Sequence, residues 1–128
     1  MATNKAYDLA GDISSKRIEF TQGLGDSGVF ALATSSRKLD QLIIDNSAGT
    51  SDVYLKLYDL ASGSITIGSN APPFVFPCPA GESVEYSIQP YVTFAVAVSA
   101  HISQEAGTGD TSPLYPTWDV KTYLLLQT

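Results

Sequence analysis

The chain has 128 residues, a formal charge of −6 and one cysteine; 44% of its residues are hydrophobic and 16% charged. Such a length carries one domain that buries roughly two-thirds of its unfolded surface, and the acidic balance argues against counterion-driven binding to nucleic acid. A lone Cys78 excludes an internal disulfide, and no run of ~18 apolar residues is present to span a membrane.

The charged fraction lies below the ~25% usual for a soluble domain, which points to surface spent on protein contacts. The first residues, MATNKAYDLAGD, lack the apolar centre of a signal peptide. The chain is therefore expected to be made and kept in a reducing cytosol, or in something assembled there.

Residues 1–15 are polar and small, with scattered Tyr7, Leu9 and Ile13, and show neither a helical stripe nor alternation. They read as an arm lying along another surface or as a frayed terminus. Residues 16–20 (KRIEF) alternate with Ile18 and Phe20 inward, a short strand. The glycines of 22–28 form a turn rather than a phosphate loop, because no helix and no Lys-Ser/Thr pair comes after them. A second strand is expected at 29–33, then a turn at 34–38.

The most informative stretch is 42–59, LIIDNSAGTSDVYLKLYD. An apolar run, Leu42-Ile43-Ile44, stops at Asp45-Asn46, and a small polar segment with Gly49 leads into a clean alternation. Val53, Leu55 and Leu57 take one face; Tyr54, Lys56 and Tyr58 take the other. Two strands joined by Asn, Gly, Ser and Asp predict an antiparallel hairpin.

Ile65 and Ile67 suggest a short strand or ordered loop, and Gly68 to Pro73 breaks it. Phe74-Val75-Phe76, closed by Pro77-Cys78-Pro79, predicts a strand near a sheet edge, since proline donates no ladder bond. Val84, Tyr86 and Ile88 alternate with Glu85 and Ser87. Residues 91–99 predict the most regular strand, with Val92, Phe94, Val96 and Val98 on one face and small residues on the other. A loop at 104–117 rich in Gly, Thr, Ser and Pro leads to a last strand, 118–126, carrying Trp118, Val120 and Leu124 on one face.

Roughly eight to ten short strands without an amphipathic helix predict an all-β fold. The expected form is an antiparallel, jelly-roll-like β-sandwich over 16–128 with an extended N-terminal arm over 1–15. No internal repeat or domain boundary is present.

No catalytic residue, cofactor site or metal site is assigned from the sequence. His101 is the single histidine, without a second His or Cys at ligand spacing, and Cys78 between two prolines reads as a small buried apolar group. Asp45, Asp52 and Asp59 recur every seven residues at strand ends, where turn chemistry favours Asp; a cation site is the alternative. Tyr54, Tyr58, Tyr86, Tyr91 and Trp118 suit either a sugar-stacking platform or a protein interface. Because Tyr54 and Tyr58 lie opposite Val53, Leu55 and Leu57, both faces of that strand are apolar. A second sheet is expected on one side, and a subunit partner or an arm on the other.

Three segments carry a resemblance. They are Asn46-Ser47-Ala48 followed by Val53-Tyr54-Leu55-Lys56-Leu57-Tyr58-Asp59, then Pro77-Cys78-Pro79-Ala80-Gly81-Glu82-Ser83-Val84, then Phe94-Ala95-Val96-Ala97-Val98 with the Gly107-Thr108-Gly109-Asp110-Thr111 loop after it. In order and spacing this run, about 40–112, resembles a group of small β-sandwich virion proteins of tailed bacteriophages, including capsid cement (decoration) proteins and tail-attached parts. Gln89-Pro90-Tyr91-Val92 departs from the turn expected of that group, and residues 1–38 and 118–126 lie outside the match.

The resemblance implies a structural virion protein at the capsid surface, synthesised in the host cytoplasm. Its implied partners are the major capsid protein and itself, as a homotrimer, with neither nucleic acid nor membrane as partner and no catalytic residue to carry over. The expected contact residues are Tyr7, Leu9, Ile13, Tyr54, Tyr58 and Trp118. The alternative is a carbohydrate- or receptor-binding domain of a phage tail or head fibre, using the aromatic faces and the 104–117 loop.

Overall fold

Two sheets close on one core. The computed structural model describes residues 3–9, 12–23, 26–109 and 113–127, with side chains described from residue 17 onward. Its nine strands are β1 (Thr3–Leu9), β2 (Asp12–Gln22), β3 (Phe30–Ala33), β4 (Arg37–Asp45), β5 (Val53–Tyr58), β6 (Phe74–Cys78), β7 (Ser83–Phe94), β8 (Val98–Ser103) and β9 (Val120–Gln127). A five-stranded sheet runs β1-β2-β9-β4-β7 and a four-stranded sheet β3-β8-β5-β6, every pairing antiparallel. The chain is an all-β antiparallel sandwich.

The alternation that marks each strand also fixes its inner face. Ile18 and Phe20 of β2, Leu42 and Ile44 of β4, and Val120, Leu124 and Leu126 of β9 point inward from the larger sheet. Val53, Leu55 and Leu57 of β5 and Val98, Ala100 and Ile102 of β8 meet them from the smaller one. Cys78 is fully buried among them, and burial pushes its thiol up. Along one flank, Phe74 packs on Phe94 and Phe76 on Tyr86, whose hydroxyl donates to the Pro77 carbonyl. Elsewhere the buried Gln22 side chain makes a rung to β8, donating to the Ile102 carbonyl (2.7 Å) and accepting from the Ile102 N–H (3.0 Å).

Every connection from β2 to β9 except β5–β6 crosses from one sheet to the other. Two expectations fall to this rule. The run 42–58 is not a hairpin: β4 pairs with β7 and β9, β5 with β6 and β8. An arch between facing sheets needs the same alternation as a hairpin, so the pattern did not separate them. What holds the arch is Asn46, fully buried. Its side chain donates to the carbonyls of Ser51 (3.0 Å) and Pro79 (3.1 Å) and accepts from Trp118 Nε1 (2.7 Å). Its carbonyl accepts from the N–H groups of Gly49 and Gly81. A Cβ on Gly49 would lie 2.6 Å from Trp118 Nε1, so only glycine lets the arch pass beneath the indole.

The run 91–99 is likewise two elements. β7 ends at Phe94, residues 95–97 turn the corner, and β8 begins at Val98 in the other sheet. Phe94 and Val98 are buried while Val96, in phase with both, is 55% exposed. The corner closes on Asp59, whose carboxylate accepts from the N–H groups of Ala95 (2.9 Å), Val96 (2.8 Å) and Ala97 (3.3 Å). Gln89-Pro90, where the sequence departs from the turn of the phage group, lies inside β7 as a bulge opposite the Leu39/Gln41 step of β4. Ile67 makes an isolated bridge to Asn70 rather than a strand.

The expected arm is corrected too. Thr3–Leu9 forms an edge strand paired in register with β2 from Thr3↔Thr21 to Asp8↔Lys16, and the boundary expected at 15/16 falls inside β2. Backbone pairing makes a strand at a sheet edge without any apolar stripe, which is why its composition did not announce it. The side chains of Tyr7, Leu9 and Ile13 lie outside the described residues.

Candidate interaction surface

Each sheet has an outer face, and the two have different fates. On the smaller sheet the outward residues are Tyr54, Lys56 and Tyr58 of β5 and Ser99, His101 and Ser103 of β8, in cross-strand register. All but Tyr54 are buried. Tyr58 is 2% exposed within its own chain, so it is not a contact residue for another subunit; this corrects its expected role. Burial raises its phenol above the ordinary value.

The cover is the chain's own segment after β8, described at 104–109 and 113–118. The Gln104 N–H donates to the Leu114 carbonyl (2.7 Å), its side chain to the Tyr115 carbonyl (3.1 Å), and the Leu114 N–H to Glu105 Oε1 (2.8 Å). Lys56, 3% exposed, reaches up to donate to the Gly107 carbonyl (2.6 Å). The His101 ring sits 5.7 Å from Tyr58 and 6.1 Å from Tyr115, centroid to centroid. The second apolar face of β5 thus has an intramolecular partner.

The remaining expected residues separate. Tyr54 is half-buried on the covered face. Trp118 packs on the core and is tied to Asn46, at the end of the sandwich where the 46–52 arch meets the 79–82 turn. The three spaced aspartates do not converge either. Asp45 accepts from the Ser47 N–H (3.0 Å) and Ser83 hydroxyl (3.1 Å), Asp52 from the Ala80 N–H (2.9 Å), and Asp59 from the 95–97 corner. Hydrogen bonds from Ser47 hold the Asp45 carboxyl below its ordinary range. For Asp59, burial pushes upward, but the three N–H groups outweigh it and the net direction is down. Among the described residues, no three His, Cys, Asp or Glu side chains gather into a metal-ligating group.

The outer face of the five-stranded sheet is open. Its centre is a shallow groove of about 450 Å³ lined by Arg17, Gln41, Ile43, Asp45, Ser83, Tyr123 and Leu125. Pairing explains the cluster: Ile43 stands opposite Tyr123 and Gln41 opposite Leu125 on β4 and β9, while Arg17 of β2 stands opposite Leu125 from the other side. The Arg17 guanidinium lies 4.7 Å from the Tyr123 ring centroid, and Gln41 donates to Glu85 (3.0 Å). An apolar centre of Ile43, Tyr123 and Leu125 is therefore ringed by Arg17, Glu19, Asp45, Glu85 and Lys121, with both signs of charge. This is the anatomy of a protein-contact patch, apolar inside and polar at the rim.

Of these groove residues only Asp45 was singled out in the sequence, and there as a turn or cation residue rather than as part of a contact surface. A signal was there: Leu42-Ile43-Ile44 and Leu124-Leu125-Leu126 interrupt alternation with an apolar residue at the outward position, and the topology sets those two strands side by side. No protein-family model, curated protein or solved structure matches the chain.

Proposed function

We propose that the chain is a structural virion protein that attaches to the capsid surface of a tailed phage and stabilises the shell by bridging major capsid protein subunits. The observation that carries this reading is the open groove on the five-stranded sheet, an apolar centre with a mixed-charge rim. Rigid strands hold it in one plane, as docking to a broad, flat partner requires. The strand order β2-β9-β4-β7 facing β3-β8-β5-β6 supports the jelly-roll reading of the sandwich. The motif residues behind the phage resemblance, Asn46 and 79–82, meet in the lock that shapes the fold, so the resemblance supports the scaffold and the groove supports the docking.

A bound copy stabilises a lattice by its differential affinity for the assembled state. Capsids loaded with the protein should release DNA at a higher temperature than bare capsids, and Ile43→Asp should weaken attachment and reduce the thermal gain with it. Equal release temperatures with and without bound protein would overturn the cement role. Retention on host polysaccharide but not on capsids would move the chain to the fibre alternative.

A further inference from the structure

We propose that the free edge of β7 over residues 83–89 is a self-association strand, pairing antiparallel with the same stretch of a second copy about a two-fold axis. Among the described strands, β7 ends the five-stranded sheet and pairs with β4 alone. Within β7 only Phe94 is buried. The backbone groups on the free side of an edge strand have no sheet partner, so such an edge is a template for another extended strand.

Four described strands end the two sheets, and they differ in how they discourage such pairing. Native edges are blunted by short length, proline, charge or a bulge. β3 has four residues, and β6 has five, including Pro77. β1 carries Lys5 and Asp8. β7 is guarded only in its second half, where Pro90 falls in the bulge opposite the Leu39/Gln41 step of β4. Residues 83–89 contain no proline, no basic residue and a single charge, Glu85.

Along the same flank the chain leaves apolar surface half covered. Phe74 and Phe76 of β6 and Val84, Tyr86 and Ile88 of β7 pack against the core but are only half-buried. The Phe76 ring centroid lies 5.1 Å from that of Tyr86 and 6.4 Å from that of Phe74, which makes one aromatic seam between the two edge strands. A strand added to β7 extends the sheet past this seam and covers it.

The stretch fits itself, which is the argument for a second copy as the occupant. Paired residues point to the same side of a sheet, so the register must set inward residues opposite inward ones. With the axis at Tyr86, Val84 stands opposite Ile88 of the second copy, and Tyr86 opposite Tyr86. On the outer side Ser83 meets Gln89, and Glu85 meets Ser87. Apolar faces apolar, and no carboxylate faces another. Moving the axis to Glu85 sets that carboxylate against itself, which is unfavourable, and moving it to Ser87 brings Pro90 opposite Val84. A two-fold perpendicular to the sheet also leaves the groove of each copy open on the same side of the joined sheet.

The isolated full chain tests this without capsids, so the result does not depend on the capsid reading. Sedimentation equilibrium at micromolar concentration should give a dimer, twice the 13.6 kDa of the chain. Ser87 is exposed, so a charge of either sign can be placed there without entering the core. Ser87→Glu sets a carboxylate opposite Glu85 of the second copy at two symmetric places and should weaken the dimer by ~10-fold. Ser87→Lys meets the same Glu85 with the opposite sign and should associate at least as tightly as the parent. The gap between the two variants should narrow in 1 M NaCl. A monomer at every concentration, a trimer, or equal weakening in both variants would each overturn the proposal. A monomer whose Ser87→Glu form alone loses capsid attachment would assign the edge to an extended segment of the capsid partner, and would overturn self-pairing as well.

Discussion

The two outer faces of the sandwich carry similar residue types and have opposite environments. On the smaller sheet Tyr58, Lys56 and His101 lie under a segment of the same chain; on the larger sheet Tyr123, Arg17 and Gln41 line an open groove. A tyrosine beside a cation occurs in both. The difference lies in the connecting chain: the segment after β8 folds back over its own sheet, and no described segment folds over the other. An outward aromatic therefore does not by itself say whether its face is covered or open.

The sharpest way to break the comparison is to truncate the matching tyrosines. Tyr58→Ala empties a site that is core in all but sheet layer, and large-to-small changes at such sites cost about 3–5 kcal/mol. Tyr123→Ala, half-buried and open to water, should cost under ~1 kcal/mol in urea unfolding. Similar midpoints for the two variants would mean that the cover over Tyr58 is not formed in solution.

The same contrast explains how far the sequence could be read. The apolar run 42–44 located β4, and period-two alternation identified β5 with its inner residues Val53, Leu55 and Leu57, because inward direction is a local property of a strand. It could not say that β4 and β5 face each other across the core, nor that 91–99 turns a corner at Ala95–Ala97. Both depend on polar locks, Asn46 and Asp59, that tie the chain to distant residues, Asn46 to Pro79 at 33 positions and Asp59 to Ala95 at 36. β1 was missed because its place comes from backbone pairing with β2. The groove was missed because it is assembled from β2, β4, β7 and β9, and only the sheet order brings Arg17, Ile43, Ser83 and Tyr123 to one place.

A second pair of variants sharpens the comparison through binding rather than folding. Ile43→Asp and Leu125→Asp put a charge into the groove centre, where a hot-spot loss of about 2 kcal/mol corresponds to ~30-fold weaker attachment to capsids. Surface plasmon resonance on immobilised capsids reads this directly. Thr50→Asp, exposed on the arch at the sandwich end, is the control and should bind as the parent does. Parent-like affinity in both groove variants would remove the groove from the attachment surface.

Asp59 tests the link between the two layers. Asp59→Ala frees three N–H groups at the corner where β7 hands over to β8; Ala95 and Val96 are exposed, so water replaces part of the loss. The expected cost is about 1 kcal/mol. The folded carboxyl titrates below its unfolded value, so its contribution is full above the ordinary carboxylate pKa and disappears as pH falls through the lowered one. Parent and variant should accordingly converge in stability at strongly acidic pH. A gap that stays constant down to pH 2 would mean that the carboxylate's charge does not hold the corner.

The smallest effect is expected at the groove rim. Arg17 is exposed and stacks over Tyr123, and the charges around it, Glu19, Glu85, Asp45 and Lys121, are of both signs. Rim charges of this kind contribute about 0–1 kcal/mol and steer encounter more than they hold it. Arg17→Gln should therefore lower capsid affinity by less than ~5-fold, with most of the change in the association rate. At 1 M salt the screening length falls to about 3 Å, so exposed pairs are largely silenced while apolar contacts are not. The thermal gain of loaded capsids should survive 1 M NaCl, and parent and Arg17→Gln should then be indistinguishable. If 1 M NaCl strips the parent from capsids, the rim rather than the apolar centre holds the complex, and Ile43→Asp should prove the milder of the two variants.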